Sequence, residues 1–127
     1  DTGQLDCANA GHLPPVIQKT DGSTAYHSFS PGFVLGPMPD ISYRTEQIIL
    51  QPGELFLLYT DGVNEAVNPA LEEYGEKRLL DCVATHPAAT PEQIIHAIRA
   101  EVQTFANGAP QSDDITMLAI RYLGRAA

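Results

Sequence analysis

The feature that most constrains this chain is the run Leu55-Phe56-Leu57-Leu58-Tyr59-Thr60, which stops at Asp61-Gly62. An apolar run of this length, without helical spacing, predicts a strand buried on both faces over 54–60. A strand packed from both sides has little freedom, so the residue at its mouth is held in a fixed place. Asp61 occupies that mouth. A carboxylate fixed in this way suits an ion-binding role as well as an ordinary turn. A second acidic pair, Asp113-Asp114, opens another strand-like run, Ile115-Thr116-Met117-Leu118-Ala119-Ile120. Two acidic strand ends, remote in sequence, suggest one oxygen-donor site assembled by the fold.

The rest of the chain supplies the frame for that strand. Residues 4–9 read as a strand, Ala10-Gly11-His12 as a turn and 13–19 as a strand whose start is confined by Pro14 and Pro15. Thr20-Asp21-Gly22-Ser23 carries the Asp-Gly signature of a hairpin, with 25–29 as the returning strand. Residues 30–40, rich in proline and glycine, read as loop, and 42–50 as a strand. Gln51-Pro52-Gly53-Glu54 is a turn. Leu71, Tyr74, Leu79, Leu80 and Val83 then recur at near-helical spacing, weakened at its start by Gly75 and ended by His86-Pro87. Thr90-Pro91-Glu92-Gln93 has the form of a capping box with proline at the first helical position. Ile94, Ile95, Ile98, Val102 and Phe105 continue it as an apolar stripe, and Asn107-Gly108 stops it. The final strand is expected over 114–122. The order strands, two helices, strand predicts an α+β fold: a mostly antiparallel sheet covered by two helices.

Composition narrows the function. The 127 residues suffice for one domain with a core. Only 7 Lys and Arg stand against 16 Asp and Glu, a formal net charge of -9, which argues against nucleic-acid or anionic-membrane binding. No apolar stretch approaches the roughly 20 residues of a membrane span. Cys7 and Cys82 make neither a disulfide framework nor a zinc motif; both are expected to be small core residues. No Gly-x-Ser-x-Gly element, phosphate-binding Gly-rich loop or EF-hand spacing is present. Glu65, four residues past Asp61, faces the same side if the intervening chain makes a helical turn, and reads either as an outer-shell acid or as an exposed side chain. His12 reads either as a structural turn residue or as a group on the substrate side.

Taken together, the segments carry a resemblance. Ala8-Asn9-Ala10-Gly11-His12-Leu13-Pro14-Pro15 is followed by Gly36 in a Gly-x-x-x-Gly loop. Leu50-Gln51-Pro52-Gly53-Glu54 then leads into Tyr59-Thr60-Asp61-Gly62-Val63-Asn64-Glu65-Ala66, and Ser112-Asp113-Asp114-Ile115-Thr116 comes last. This order resembles the bacterial SpoIIE/RsbU-type branch of the metal-dependent, protein phosphatase 2C-like serine/threonine phosphatases, over nearly the whole chain. The resemblance implies an α-β-β-α sandwich and a binuclear Mn²⁺ or Mg²⁺ site. It implies Asp61 and Asp113 as metal ligands, Asp114 as the weaker candidate, and Gly62 and Glu65 in the surrounding shell. It further implies a cytoplasmic enzyme that dephosphorylates a small anti-anti-sigma-like regulatory protein, with a sensor or receiver domain upstream.

The acidic motif and glycine-containing helix that open such domains have no counterpart in the seven residues before Ala8. Residues 1–127 are therefore expected to form the C-terminal portion of one phosphatase domain, weakly active or inactive by itself. Its unpaired strands would favour association, including homo-oligomers. The alternative is a non-catalytic interaction module on the same scaffold.

Overall fold

The computed structural model describes residues 2–30, 32 and 34–125. The elements are β1 (Gln4–Cys7), β2 (Val16–Gln18), β3 (Thr24–Tyr26), β4 (Glu46–Ile49), β5 (Leu55–Tyr59), α1 (Asp61–Asn64), α2 (Gly75–Ala84), α3 (Pro91–Ala106) and β6 (Met117–Arg121). They form two antiparallel sheets, a four-stranded one ordered β3-β2-β5-β6 and a two-stranded one, β1-β4. The fold is α+β, as expected.

Strand β5 lies between β2 and β6 and is packed from both sides. Its odd residues, Leu55, Leu57 and Tyr59, join Val16 and the helix residues Leu79, Val83, Ile94, Ile98 and Val102 in one core. Its even residues, Phe56 and Leu58, face a second core with Ile17, Ile48 and Leu50. Each fully buried large side chain of this kind contributes about 1.5–3 kcal/mol. The layers run from helices to four-stranded sheet to two-stranded sheet. The second layer does not reach β6: Met117 and Ala119 join the helix-side core, whereas Leu118 and Ile120 on the other face are 52% and 39% exposed.

Local chemistry accounts for most boundaries. The hairpin turn closes with Lys19 N–H on Ser23 O at 2.8 Å, and Asp21 Oδ1 accepts from Ser23 N–H and Oγ–H. The α3 capping box is complete: Thr90 Oγ1 accepts from Gln93 N–H while Gln93 Oε1 accepts from Thr90 N–H. Asn107, at φ 45°, ends the helix in the left-handed conformation. Residues 30–40 are loop where described, and Pro31 and Phe33 lie outside the described residues. Cys82 is buried and Cys7 half-buried in β1.

Two readings of the sequence change. The strands are shorter, because Pro14 and Pro15 delay β2 to Val16 and loop hydrogen bonds delay β6 to Met117. Gly75, at φ +80°, begins α2 rather than weakening its interior, so Leu71 falls in the preceding loop and is 81% exposed. The Gln51–Glu54 turn forms as expected, with Glu54 N–H on Gln51 O at 2.9 Å, and does not close a hairpin. The ladder from Leu50 N–H continues to Gly3 O, and after the turn β5 pairs with β2 and β6, so the chain crosses from one sheet to the other.

Candidate active site

Three sequence motifs converge on one end of the four-stranded sheet. β5 ends there and β6 begins there, with Tyr59 opposite Met117. β2 also begins there, since Val16 pairs with Leu57. The residues just beyond this end are 60–65, 112–116 and 12–15.

Past Tyr59 the chain turns at once into α1, a single helical turn not foreseen as a separate element. Glu65 N–H donates to Asp61 O at 2.8 Å, which realises the helical relation between Asp61 and Glu65. Both side chains are exposed, while Gly62 and Val63 between them are buried. Gly62 is seated on the backbone of the acidic loop. A Cβ placed there would lie 2.5 Å from Asp114 O and 2.9 Å from Asp113 O. Glycine at this position therefore allows the Asp61 turn and the Asp113-Asp114 loop to touch backbone to backbone.

Hydrogen bonds tie the same two segments. Thr60 N–H donates to Thr116 O at 3.0 Å. Thr60 Oγ1 donates to Asp114 O at 2.7 Å and accepts from Thr116 N–H at 3.0 Å. Within the loop, Asp113 Oδ1 accepts from Asp114 N–H at 2.6 Å, and Gln111 Nε2 donates to Asp113 O at 2.8 Å. Asp61, Asp113 and Asp114 are all exposed. The ion pairs among the described residues, Lys19–Glu54 and Lys77–Asp81, leave these three without a lysine or arginine partner.

His12 lies in a separate turn. Asn9 Oδ1 accepts from Gly11 N–H and His12 N–H at 3.0 and 2.7 Å, and Asn9 Nδ2 donates to His12 O at 2.9 Å. The exposed ring is tethered through Nδ1 to Leu13 O at 3.0 Å. Continuing the β2–β5 register beyond Val16 carries position 12 toward position 61, although pairing stops at Val16.

The donor chemistry fits a hard divalent cation, which prefers carboxylate oxygen. The donor number fits only part of a shell: among the described residues no group of three or more His, Cys, Asp and Glu is gathered closely enough to hold an ion. Sequence reasoning missed Thr60 and Gln111, which position the acidic loop. The signal was available in Thr60, a threonine placed between a buried strand and Asp-Gly.

Comparison with known proteins places the chain in a family. Residues 1–123 match the family model described as Stage II sporulation protein E (SpoIIE). Protein IcfG of Synechocystis sp. is 35% identical over 118 residues, covering 93% of this chain and 18% of that protein. Phosphoserine phosphatase RsbU of Bacillus subtilis is 27% identical over 126 residues, covering 95% of this chain and 36% of RsbU. The structure of the SiaA-PP2C domain of Pseudomonas aeruginosa superposes with a TM-score of 0.75 at 26% identity, covering 95% of this chain and 47% of that one. This chain thus spans less than half the length of each of these three proteins. The shared fold, the backbone contact of the two acidic segments and the family match over almost every residue lead to one conclusion: this chain belongs to the SpoIIE family and has the fold of an RsbU-type, protein phosphatase 2C-like domain.

Proposed function

We propose that this chain is the C-terminal part of a phosphatase domain that removes phosphate from phosphoserine or phosphothreonine of a regulatory protein in bacterial signalling. The observation that carries this reading is the seating of Gly62 on the carbonyls of Asp113 and Asp114, which brings two acidic strand ends to one place. The kinship with RsbU, a phosphoserine phosphatase by name, gives the reaction class.

In this reading Asp61 and Asp113 hold Mn²⁺ or Mg²⁺, with Asp114 as the weaker ligand and Glu65 in the surrounding shell. The chemistry that the bound ions supply is neutralisation of phosphoryl charge and acidification of a water nucleophile. The chain's own contribution is positional. Strand β5, buried on both faces, fixes Asp61. The bonds from Thr60 and Gln111 fix the loop of Asp113. His12, at the same end of the sheet, stands on the substrate side. The remaining ligands belong to residues upstream, so the 127 residues alone are weakly active or inactive. An upstream sensor or receiver domain and a phosphorylated anti-anti-sigma-like partner complete the cytoplasmic pathway. The uncovered Leu118 and Ile120 on β6 give the fragment by itself a surface for self-association.

The test compares this chain with a chain extended upstream to the length of a complete domain. The extended protein is expected to hydrolyse a phosphoserine protein only with Mn²⁺ or Mg²⁺, and the 127-residue chain to show little turnover. Metal-independent turnover by the extended protein, or none under any metal, would overturn the reading.

A further inference from the structure

The threonine between β5 and the Asp-Gly turn does something other than cap. Thr60 is the N-cap of α1, with extended backbone at φ -90° and ψ 163°, yet its side chain makes no capping hydrogen bond. An N-cap threonine ordinarily turns its oxygen onto the first-turn N–H groups of its own helix. Here the hydroxyl points across to the other acidic segment and is used twice, donating to Asp114 O and accepting from Thr116 N–H. A hydroxyl is the smallest side-chain group that can do both at once.

Packing holds the loop on one flank, where Ile115 joins the helix-side core. On the other flank, beside residues 108–112, lies an open pocket of about 230 Å³, lined by Gly62, Ala66, Val102, Ala106, Pro110 and Ile115 among others. Dense interlocking would hold a segment to a fraction of an ångström. A loop with one open flank depends more on its hydrogen bonds. Those crossing from the Asp61 segment come from Thr60, and Gly62 sets the distance of closest approach.

The geometry points to Thr60 as a positioning residue for the ion site: its hydroxyl sets the spacing between the Asp61 turn and the Asp113-Asp114 loop. The inference rests on the phosphatase reading above and adds a residue that touches neither ion nor substrate. Its loss should act on how well the two segments present oxygen to a cation, more than on the reaction once the cation is held. Outer-shell partners of this kind are worth roughly 10–100-fold in metal affinity.

The experiment uses the extended domain with Thr60→Val, which keeps the shape and deletes the hydroxyl, and Thr60→Ser, which restores it. The Mn²⁺ concentration for half-maximal phosphatase activity is expected to rise about tenfold in Thr60→Val, with kcat at saturating Mn²⁺ changed by less than about threefold, and to return to within about twofold in Thr60→Ser. In the metal-free protein, amide exchange at Thr116 should accelerate in the valine variant and not in the serine one. Thr24→Val, which removes a hydroxyl donating to Leu80 O at 3.2 Å away from the acidic loops, controls for general loosening and should leave the Mn²⁺ dependence unchanged. An unshifted Mn²⁺ dependence in Thr60→Val, or failure of Thr60→Ser to rescue it, would overturn the assignment while the phosphatase reading stands. A wild-type domain that needs no metal would overturn both.

Discussion

The two ends of the four-stranded sheet handle polar groups in opposite ways. At one end Gln18 is fully buried, donating through Nε2 to Val83 O at 2.6 Å and accepting at Oε1 from Arg121 Nη2 at 3.0 Å. Arg121 Nη1 reaches Gly53 O at 2.6 Å, and nearly buried Glu54 accepts from Gln51 N–H and pairs with Lys19 at 3.1 Å. Each charge there meets a protein partner, and burial holds the Arg121 guanidinium below its ordinary range. At the other end three carboxylates stand exposed on two segments tied together through backbone and threonine. Buried polar groups without partners are costly, so the first end is closed by hydrogen bonding, Arg121 Nε being left without an acceptor, and serves the fold. The second end brings two acidic segments into backbone contact without a lysine or arginine partner, which contributes little to folding and, on the phosphatase reading proposed above, suits a cation. One sheet thus has a structural end and an end proposed to be reactive.

The contrast is broken or sharpened by substitutions at each end. The largest effect is expected for Asp61→Asn in the extended domain: a loss of at least ~10²-fold in metal-dependent rate, since even outer-shell changes cost 10–100-fold. Thermal melting without metal should barely move. A variant with near-full activity would make Asp61 a turn residue. Asp113→Asn should follow it closely and Asp114→Asn should be milder, as read from the same rate assay. The reverse order would move the ligand to Asp114.

At the structural end, Gln18→Leu should do the opposite. It removes one of the two donors to Val83 O, His86 N–H remaining, and leaves one arginine nitrogen without its acceptor, at a cost of about 1–3 kcal/mol in urea unfolding, while the Mn²⁺ dependence stays as in the wild type. A shifted metal dependence would erase the distinction between the ends.

Gly62→Ala should affect both properties, because a Cβ 2.5 Å from Asp114 O forces the acidic loop outward. About 1–3 kcal/mol of destabilisation together with weaker Mn²⁺ activation is expected. Denaturation and metal titration of one sample would detect either effect alone, which would contradict the close contact.

The smallest effect concerns the interior between the ends. Burial pushes the Cys82 thiol up to about 12, with Glu101 adding to it. The half-buried Cys7 is raised by its own burial and then by Asp6. Iodoacetamide at mildly alkaline pH should label Cys7 first and Cys82 only on unfolding. A raised thiol stabilises the fold through its protonated form. That contribution is complete below the ordinary thiol value of 9.0 and is lost as pH rises toward about 12. Stability should decline over that interval, and less steeply in Cys82→Ala.

Local chemistry was enough to place several parts of this protein. The apolar run before Asp61 specified a strand buried on both faces, since five consecutive apolar side chains bounded by turn residues fit a short doubly covered strand. Asp21-Gly22 specified the hairpin, and Thr90 with Gln93 specified where α3 starts, because turns and caps are made between residues a few positions apart. The acidic motifs were visible for the same reason. Tertiary structure decided what depends on partners remote in sequence. It assigned β4 and β5 to different sheets, although a turn of hairpin length joins them, because each had a better ladder elsewhere. It buried Gln18, a polar residue in a short strand, because Arg121 and Val83 arrive to satisfy it. It turned Thr60 from a capping residue into a link to Asp114. And it set Gly62 against the carbonyls of Asp113 and Asp114, a contact that exists only because β5 and β6 pair in a register that ends both strands at the same edge.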